Sequence, residues 1–527
     1  MRVLIIGLDG ATWNVLQPLI EEGVLPTLRR LVENGVSGNL ETTIPPVTGA
    51  AWPAIATGRT PGKTGIVDHL RRTRRDSYEL HPISSLDIKG RTFWDYLSLG
   101  GYRVGIFNFP LLFPPYKVNG FMVSGLGSSP EQEITYPPSL KRELNEVTGG
   151  YQIHISYRDE KYDDVNLLLR DLNRYMDKFE KALHHVLGKE WDMLFVVVSA
   201  TDWIQHSMWR HIDSTHPLYD PQLSPRYREG FKEFWRRVDR LIGDVIKAAG
   251  DDTIVFVVSD HGFGPSHQTF NLARWLELKG YIVRKRSLKS SVKKLLYWLI
   301  TLARKIGLKR VVPYRTRRSI VRRVKTSILD SIDLRRSTAI CLGHTVEFGA
   351  IYINVDDEQK KAKVLERLLQ DLRSLSRDVG VDAKVTIYEP KKMYAGDKVD
   401  LLPDVIFTVN DWRCFIVETE LDRPLFENRP ISPRRTGSHR PIGVFIAYGP
   451  GIKRGYRLRK ARVYDIAPTV LHIFGMPIPD DMDGRVLTEI FEDSSELAAR
   501  RPLYVKAQSY ERALKLKRIK ETLRKRS

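Results

Sequence analysis

Three things are scarce in this chain. It has two cysteines in 527 residues, Cys341 and Cys414, too few to staple a chain of this length or to build a Cys-rich metal motif. A reduced, cytoplasmic protein is the expectation that follows. Long apolar runs are also missing. Leu295 to Ile300 falls far short of the ~20 residues a membrane span needs, and the start at Met1 reaches Asp9 too soon for a secretory leader. Acid is locally absent: residues 281–327 hold 16 Lys/Arg and no Asp or Glu, and residues 511–527 hold 8 Lys/Arg against 2 Glu. The formal net charge is +21, so these two segments account for it and the remainder is close to neutral. That distribution argues against a uniformly basic nucleic-acid-binding body. It leaves four readings for the segments: a solvated face, contact with an anionic membrane surface (a peripheral location), contact with a polyanion such as nucleic acid, or steering of a phosphorylated substrate.

Hydrophobic residues make up 42% and charged residues 28%, a globular balance that excludes wholesale disorder, collagen and long coiled coil. Val3 to Leu8 is a nearly continuous apolar run, the pattern of a strand buried on both faces. Tyr102 to Phe107, Met193 to Val198, Thr253 to Val258, Asp404 to Thr408 and Gly443 to Ala447 repeat it. Amphipathic helical stretches alternate with these runs, so the expected fold is α/β: a doubly wound, mostly parallel sheet. Residues 276–400 break the pattern and are expected to form an inserted basic helical segment and a small α+β cap. Within them, Ala350 to Val355, Lys361 to Leu375 and Val385 to Tyr388 read as strand, helix, strand. The expected organisation is a core in two parts, 1–275 and 401–490, the insertion 276–400, and a basic tail 491–527.

Ligands of such sheets bind beyond the carboxyl ends of the strands. Asp9, Asp202 and Asp260 stand at three of those ends. His206 follows Asp202 by four residues, so on a helix both side chains reach one ion. His261 adjoins Asp260 on a stretch punctuated by Gly262 and Gly264, where neighbours can converge. His439 lies in Thr436-Gly437-Ser438-His439-Arg440-Pro441, which reads as a turn-rich loop. Mixed His and carboxylate ligation suits Zn2+, with Mn2+ and Fe2+ as alternatives. Thr48, followed by small residues opening a helix, is either a plain N-cap or a hydroxyl set where helix amides attract anions. Near a metal such a hydroxyl becomes a nucleophile at neutral pH.

In this order, with the Ala56-Thr57-Gly58-Arg59-Thr60-Pro61 and Gly65-Ile66 stretch after Thr48, the motifs resemble the alkaline phosphatase superfamily. They are most similar to its type I phosphodiesterase/nucleotide pyrophosphatase branch and the prokaryotic predicted phosphohydrolase/phosphomutase group. The resemblance covers about residues 1–275 and 400–485. It implies two divalent metal ions, one held by Asp9, Thr48, Asp260 and His261, the other by Asp202, His206 and His439. It implies hydrolysis of a phosphodiester or phosphomonoester through a phosphothreonine on Thr48, on a phosphorylated small molecule. Two departures stand out: Ala51 occupies the place of an asparagine in the nucleotide pyrophosphatase nucleophile motif, and His69 follows Gly65-Ile66-Val67-Asp68 where that branch carries asparagine. Two alternatives remain: phosphomutase-type transfer, and a non-catalytic membrane- or nucleic-acid-binding scaffold with a relict site.

Overall fold

The computed structural model describes residues 1–285 and 328–508, with 510, 512 and 516. Most of the basic run 281–327, including Val292 to Leu308, whose sequence reads as an amphipathic stretch, and most of residues 511–527 therefore lie outside the described residues. Among the described residues no helix is long and apolar enough to cross a membrane. The chain forms two compact units. The larger comprises Met1–His267, Pro390–Leu402 and Arg429–Ser527; the smaller comprises Gln268–Glu389 and Pro403–Asn428.

The larger unit is built on a sheet of nine strands. They are β1 (Arg2–Leu8), β2 (Val36–Glu41), β3 (Val104–Phe109), β4 (Gly120–Ser124), β5 (Thr135–Tyr136), β6 (Met193–Val198), β7 (Thr253–Val258), β10 (Ile442–Tyr448) and β11 (Tyr456–Arg462). A separate antiparallel ribbon pairs β8 (Gly262–Pro265) with β9 (Gly437–Arg440). The sheet order is β11-β2-β10-β7-β1-β6-β3-β4-β5. The central run from β7 to β4 is parallel. Strand β10 is antiparallel to both β7 and β2, and β5 is antiparallel to β4.

The apolar runs form these strands because both of their faces are covered. In β1, Leu4, Ile6 and Leu8 enter one core with residues of α2 (Val165–Leu187), α3 (Ala200–Ile212) and α4 (Ser224–Ala249). Val3 and Ile5 enter the other, with α1 (Thr48–Thr57) and the helix Ile466–Ile473. Each fully buried side chain of this size adds roughly 1.5–3 kcal/mol. Gly7 interrupts the run where α1 comes closest: a Cβ there would lie 2.5 Å from the Trp52 ring. Arg59, 1% exposed, ties the end of α1 to the far end of the chain through Asp481 at 2.5 Å. The Ala-Thr-Gly-Arg stretch thus acts as a clamp.

The smaller unit carries an antiparallel sheet of Ala339–Ile340, Gly349–Ile353, Val405–Val409 and Val385–Tyr388, with a helix at Glu358–Arg373. The strand read at 404–408 thus joins this sheet and not the parallel core sheet. Its residues are all buried, and a run buried on both faces does not say which sheet it enters. A second small sheet places Gln268–Asn271 between Cys414–Val417 and Phe426–Glu427. Cys341 and Cys414 are buried and unbridged.

Candidate metal centre

Three parallel neighbours, β7, β1 and β6, end level with one another: Leu8 pairs with Val198 and Gly7 with Val258. Asp9 follows β1 directly. Asp260 stands two residues past β7, and Asp202 sits in the first turn of α3 after β6. The strand ends are locked together. Thr201 Oγ1 lies 2.7 Å from both the Asp9 and Val198 carbonyls, and the Gly10 amide donates to Asp260 Oδ1 at 3.1 Å. On α3 the side chains of Asp202 and His206 share one face, with 3.3 Å between Asp202 Oδ1 and His206 Nε2.

His439 arrives on a strand, not on the turn-rich loop its sequence suggested. It lies in β9 and pairs with Phe263 of β8. The glycines that read as turn signals serve close approach: a Cβ at Gly437 would stand 2.6 Å from the Gln205 carbonyl of α3. The Thr436 amide donates to the His206 carbonyl at 2.7 Å, and His206 Nδ1 meets the Gly437 carbonyl at 2.9 Å. This backbone contact carries His439 Nε2 to 3.1 Å from His206 Nε2 and 3.3 Å from Asp202 Oδ1.

Asp202, His206 and His439 form one group able to hold a metal, and Asp9, Asp260 and His261 form another. Their ligand atoms within each group lie within 4.8 Å of one another. The groups adjoin through the His261 and His439 rings, stacked at 3.7 Å. Thr48 is the first residue of α1, and the N-cap position belongs to Val47, so the plain-cap reading of Thr48 does not hold. Its Oγ1 stands 3.3 Å from His261 Nε2.

The donor set suits cations. The Nδ1 atoms of His206, His261 and His439 each face a backbone carbonyl, at 2.9, 3.1 and 3.0 Å. A carbonyl only accepts, so each Nδ1 carries the proton and each Nε2 offers a lone pair. In the second group two such lone pairs and a carboxylate oxygen crowd together, an arrangement that repels unless a positive charge lies among them. Asp9 Oδ1, Asp202 Oδ1 and Asp260 Oδ2 are buried without a hydrogen-bond partner. Buried polar atoms are rarely left so, and metal ligation would satisfy all three.

The electrostatics agree. Burial, then the charges of Asp260 and Asp202, hold the Asp9 carboxyl well above the usual carboxylate range. Burial also raises Asp260, against the pull of His261. Burial pushes Asp202 up as well, but His206 and His439 overcome it and hold that carboxyl well below its ordinary value. Burial lowers both histidines, His439 further because His261 stands beside it. Neutral imidazoles and crowded carboxylates are what a metal requires.

The comparisons with known proteins cover most of the chain. The model of the type I phosphodiesterase/nucleotide pyrophosphatase family matches residues 3–439. The chain belongs to that family. Membership makes the protein a phosphoric ester hydrolase of the alkaline phosphatase superfamily. Phosphonoacetate hydrolase from Sinorhizobium meliloti 1021, solved with phosphonoacetate, shares the fold at 13% identity and a TM-score of 0.53, over 89% of this chain and 94% of that one. Murine ectonucleotide pyrophosphatase/phosphodiesterase 5 aligns at 12% identity and a TM-score of 0.49, over 93% of this chain and 100% of that one. A curated relative, the 2,3-bisphosphoglycerate-independent phosphoglycerate mutase of Cereibacter sphaeroides, is 41% identical over 64 residues. The matched stretch is 11% of this chain and spans 12% of the length of that relative.

Around the two ligand groups lie Tyr157, Arg158 and Arg435, which the sequence did not single out, together with Trp52, Asp68 and His69 from the motif stretches. Tyr157 stacks parallel to the His206 ring, 5.5 Å between centroids, and Arg158 donates from Nε to its hydroxyl at 3.0 Å. Arg435 is buried one residue before Thr436. Trp52 donates to Asp9 Oδ2 at 3.4 Å. Asp68 accepts from the His69 amide at 2.7 Å and faces its Nδ1 at 3.1 Å. The His69 amide nitrogen would lie 2.5 Å from a Cβ at Gly49, which places the Asp68-His69 pair over the residue after Thr48. The contacts of Tyr157 with His206, of Trp52 with Asp9 and of His69 with Gly49 join segments distant in the chain, for which local sequence gives no periodic signal.

Proposed function

We propose that the protein cleaves a phosphate ester by forming a phosphothreonine on Thr48, with two divalent metal ions, Zn2+ first among them, held by Asp9, Thr48, Asp260 and His261 and by Asp202, His206 and His439. The observation that carries the reading is the pair of adjoining ligand groups with the Thr48 hydroxyl against one of them. Bound divalent ions would supply charge stabilisation and an easier loss of the hydroxyl proton. The protein's own residues do the rest. Thr48 Oγ attacks phosphorus, the new P–O bond forms as the bond to the leaving alcohol breaks, and water later cleaves the phosphothreonine to free phosphate or a phosphomonoester. The start of α1 fixes Thr48, and the Nδ1 hydrogen bonds fix the three imidazoles, so little reorganisation is left for the reaction. The buried floor limits access of bulk water.

The test uses the full chain loaded with Zn2+ or Mn2+ and nitrophenyl phosphate beside bis-nitrophenyl phosphate. Turnover should appear with metal, vanish with chelator, and leave phosphate on Thr48 detectable by mass spectrometry after acid quench. Full activity in Thr48→Ala would overturn the role of that residue. A second reading, transfer of the phosphoryl group from Thr48 to a substrate hydroxyl in place of water, draws support from the 64-residue match to a phosphoglycerate mutase. Exchange of phosphate between two alcohols without release of inorganic phosphate distinguishes it.

A further inference from the structure

The residues that lead from β2 into α1, Thr42 to Val47, set where Thr48 stands, and they have few backbone handles. Pro45 and Pro46 have no N–H to donate. The Thr42 amide donates to the Pro441 carbonyl at 2.9 Å, and the Val47 amide turns back to the Pro45 carbonyl at 3.1 Å. The Pro46 carbonyl faces His439 Nδ1 at 3.0 Å. Ile44 is held from elsewhere. Its amide donates to the hydroxyl of Tyr394 at 2.8 Å, and its carbonyl accepts from the same hydroxyl at 3.2 Å. A phenol accepts and donates at once, so one side chain, 350 residues away in sequence, takes both polar groups of a residue on the approach to Thr48.

Tyr394 has a fixed place of its own. Residues 390–402 belong to the larger unit, although the chain on both sides of them belongs to the smaller one. The Lys398 amide donates to the Gly62 carbonyl at 3.0 Å, and Lys398 Nζ to the Thr64 carbonyl at 3.3 Å. Gly62 has no room for a side chain: a Cβ there would stand 2.5 Å from the Ala395 carbonyl oxygen and 2.9 Å from Tyr394 Cβ. Gly62 and Thr64 lie in the short helix Pro61–Thr64, beyond Gly58, the C-cap of α1. The segment thus touches the chain ahead of α1 at Ile44 and behind it at Gly62 and Thr64. Water is able to serve the groups of the half-buried Ile44, so the fold does not depend on this hydroxyl for their satisfaction. What water would not do is tie the approach to Thr48 to the chain behind α1. Such ties matter to a reacting group, since a shift of about 1 Å costs roughly 10²-fold in rate.

We propose that Tyr394 is a positioning residue for the reaction: its hydroxyl holds the Ile44 backbone and so sets the Thr48 hydroxyl in its place beside His261. Packing of residues 394–398 on Gly62 holds the phenol in turn. This role rests on the reading of Thr48 as nucleophile, and the test keeps the two apart.

Three variants of the full chain make the test. Tyr394→Phe removes the hydroxyl alone. Gly62→Ala keeps the hydroxyl but drives a Cβ against the Ala395 carbonyl. Met393→Ala, on the exposed neighbour of Tyr394, is the control. For each, kcat and KM are measured with nitrophenyl phosphate and bis-nitrophenyl phosphate after loading with Zn2+ or Mn2+, together with metal content and melting temperature. Hydrogen–deuterium exchange is followed on the protein as purified, in peptides covering residues 42–57 and 193–198. Tyr394→Phe should lower kcat about tenfold, the scale of one or two neutral hydrogen bonds, with KM within about twofold and metal content unchanged. Exchange at 42–57 should quicken about tenfold by the same arithmetic, and exchange at 193–198 should not. Gly62→Ala should reproduce part of both changes, and Met393→Ala neither. A lower melting temperature with unchanged kcat would make the hydroxyl merely structural and overturn the proposal. Unchanged exchange at 42–57 overturns it too, as does loss of a metal equivalent, which would assign the effect to the ligands. If the wild type turns over neither ester, or Thr48→Ala stays fully active, the nucleophile reading fails. Exchange alone then decides Tyr394: faster exchange at 42–57 supports its hold on the loop, and unchanged exchange removes it.

Discussion

The two ligand groups differ in how they are made and in what they hold. The Asp9, Asp260 and His261 group has two carboxylates and one imidazole, carried by the ends of hydrogen-bonded neighbours β1 and β7. The Asp202, His206 and His439 group has one carboxylate and two imidazoles, carried by a helix and by a strand 233 residues away in sequence. Without metal the first group is frustrated: burial, then the charges of Asp260 and Asp202, raise Asp9. In the second, burial raises Asp202 but His206 and His439 outweigh it and hold that carboxyl low. The lesson is that sheet register alone builds the harder, oxygen-rich site, whereas the softer, nitrogen-rich one depends on a long-range docking event.

The largest effect should leave that comparison untouched. Thr48→Ala should lower kcat by about 10³-fold or more while both metal equivalents stay bound, as measured by metal analysis after gel filtration. Loss of one equivalent would mean that Thr48 matters chiefly as a ligand. Next comes His439→Ala, which should strip the second group alone. About one equivalent should remain, affinity at the emptied position should fall roughly 10–100-fold, and excess Zn2+ should restore part of the activity. Asp9→Asn should do the reverse, losing the first equivalent and retaining the second.

A smaller effect concerns stability without metal. In the metal-free protein the folded state binds protons at Asp9 and Asp260 more readily than the unfolded chain, since both carboxyls are raised. Stability should therefore fall as pH rises from the ordinary carboxylate range through their raised values. The lowered Asp202 works in the opposite sense. Asp9→Asn removes the buried charge, so the metal-free variant should be about 1–3 kcal/mol more stable than the metal-free wild type near neutral pH, by denaturant unfolding. The smallest change expected is in Tyr157→Phe. It keeps the ring on His206 and loses the hydroxyl that meets Arg158, so kcat/KM should move only a few-fold, by about 1 kcal/mol or less.

The first group was the easier to read from sequence. Strand β1 announces itself because Val3 to Leu8 is buried on both faces, and Asp9 is simply its next residue. Asp202 and His206 were legible for a similar reason, their spacing on one helix face. The resemblance places His439 among the ligands, but the glycines beside it read as turn signals in the sequence. In the fold they allow β9 to press on α3 and β8. The same limit applies to Val405–Val409, whose composition states that it is a buried strand but not which sheet receives it. Arg158, Arg435 and Tyr157 carried no signal at all, since only the folded backbone brings them to His206. The charge run of 281–327 stood out most strongly in composition, and from residue 286 it falls outside the described residues.

The long-range docking of β9 also has a temporal meaning. Asp9, Thr48, Asp202, His206, Asp260 and His261 all leave the ribosome before the whole smaller unit is made, whereas His439 follows it. A nascent chain can therefore assemble the parallel strands β1, β3, β4, β6 and β7 and one complete ligand group while the other still lacks a side chain. Synthesis itself thus postpones completion of the second group until the ribosome has passed the whole smaller unit.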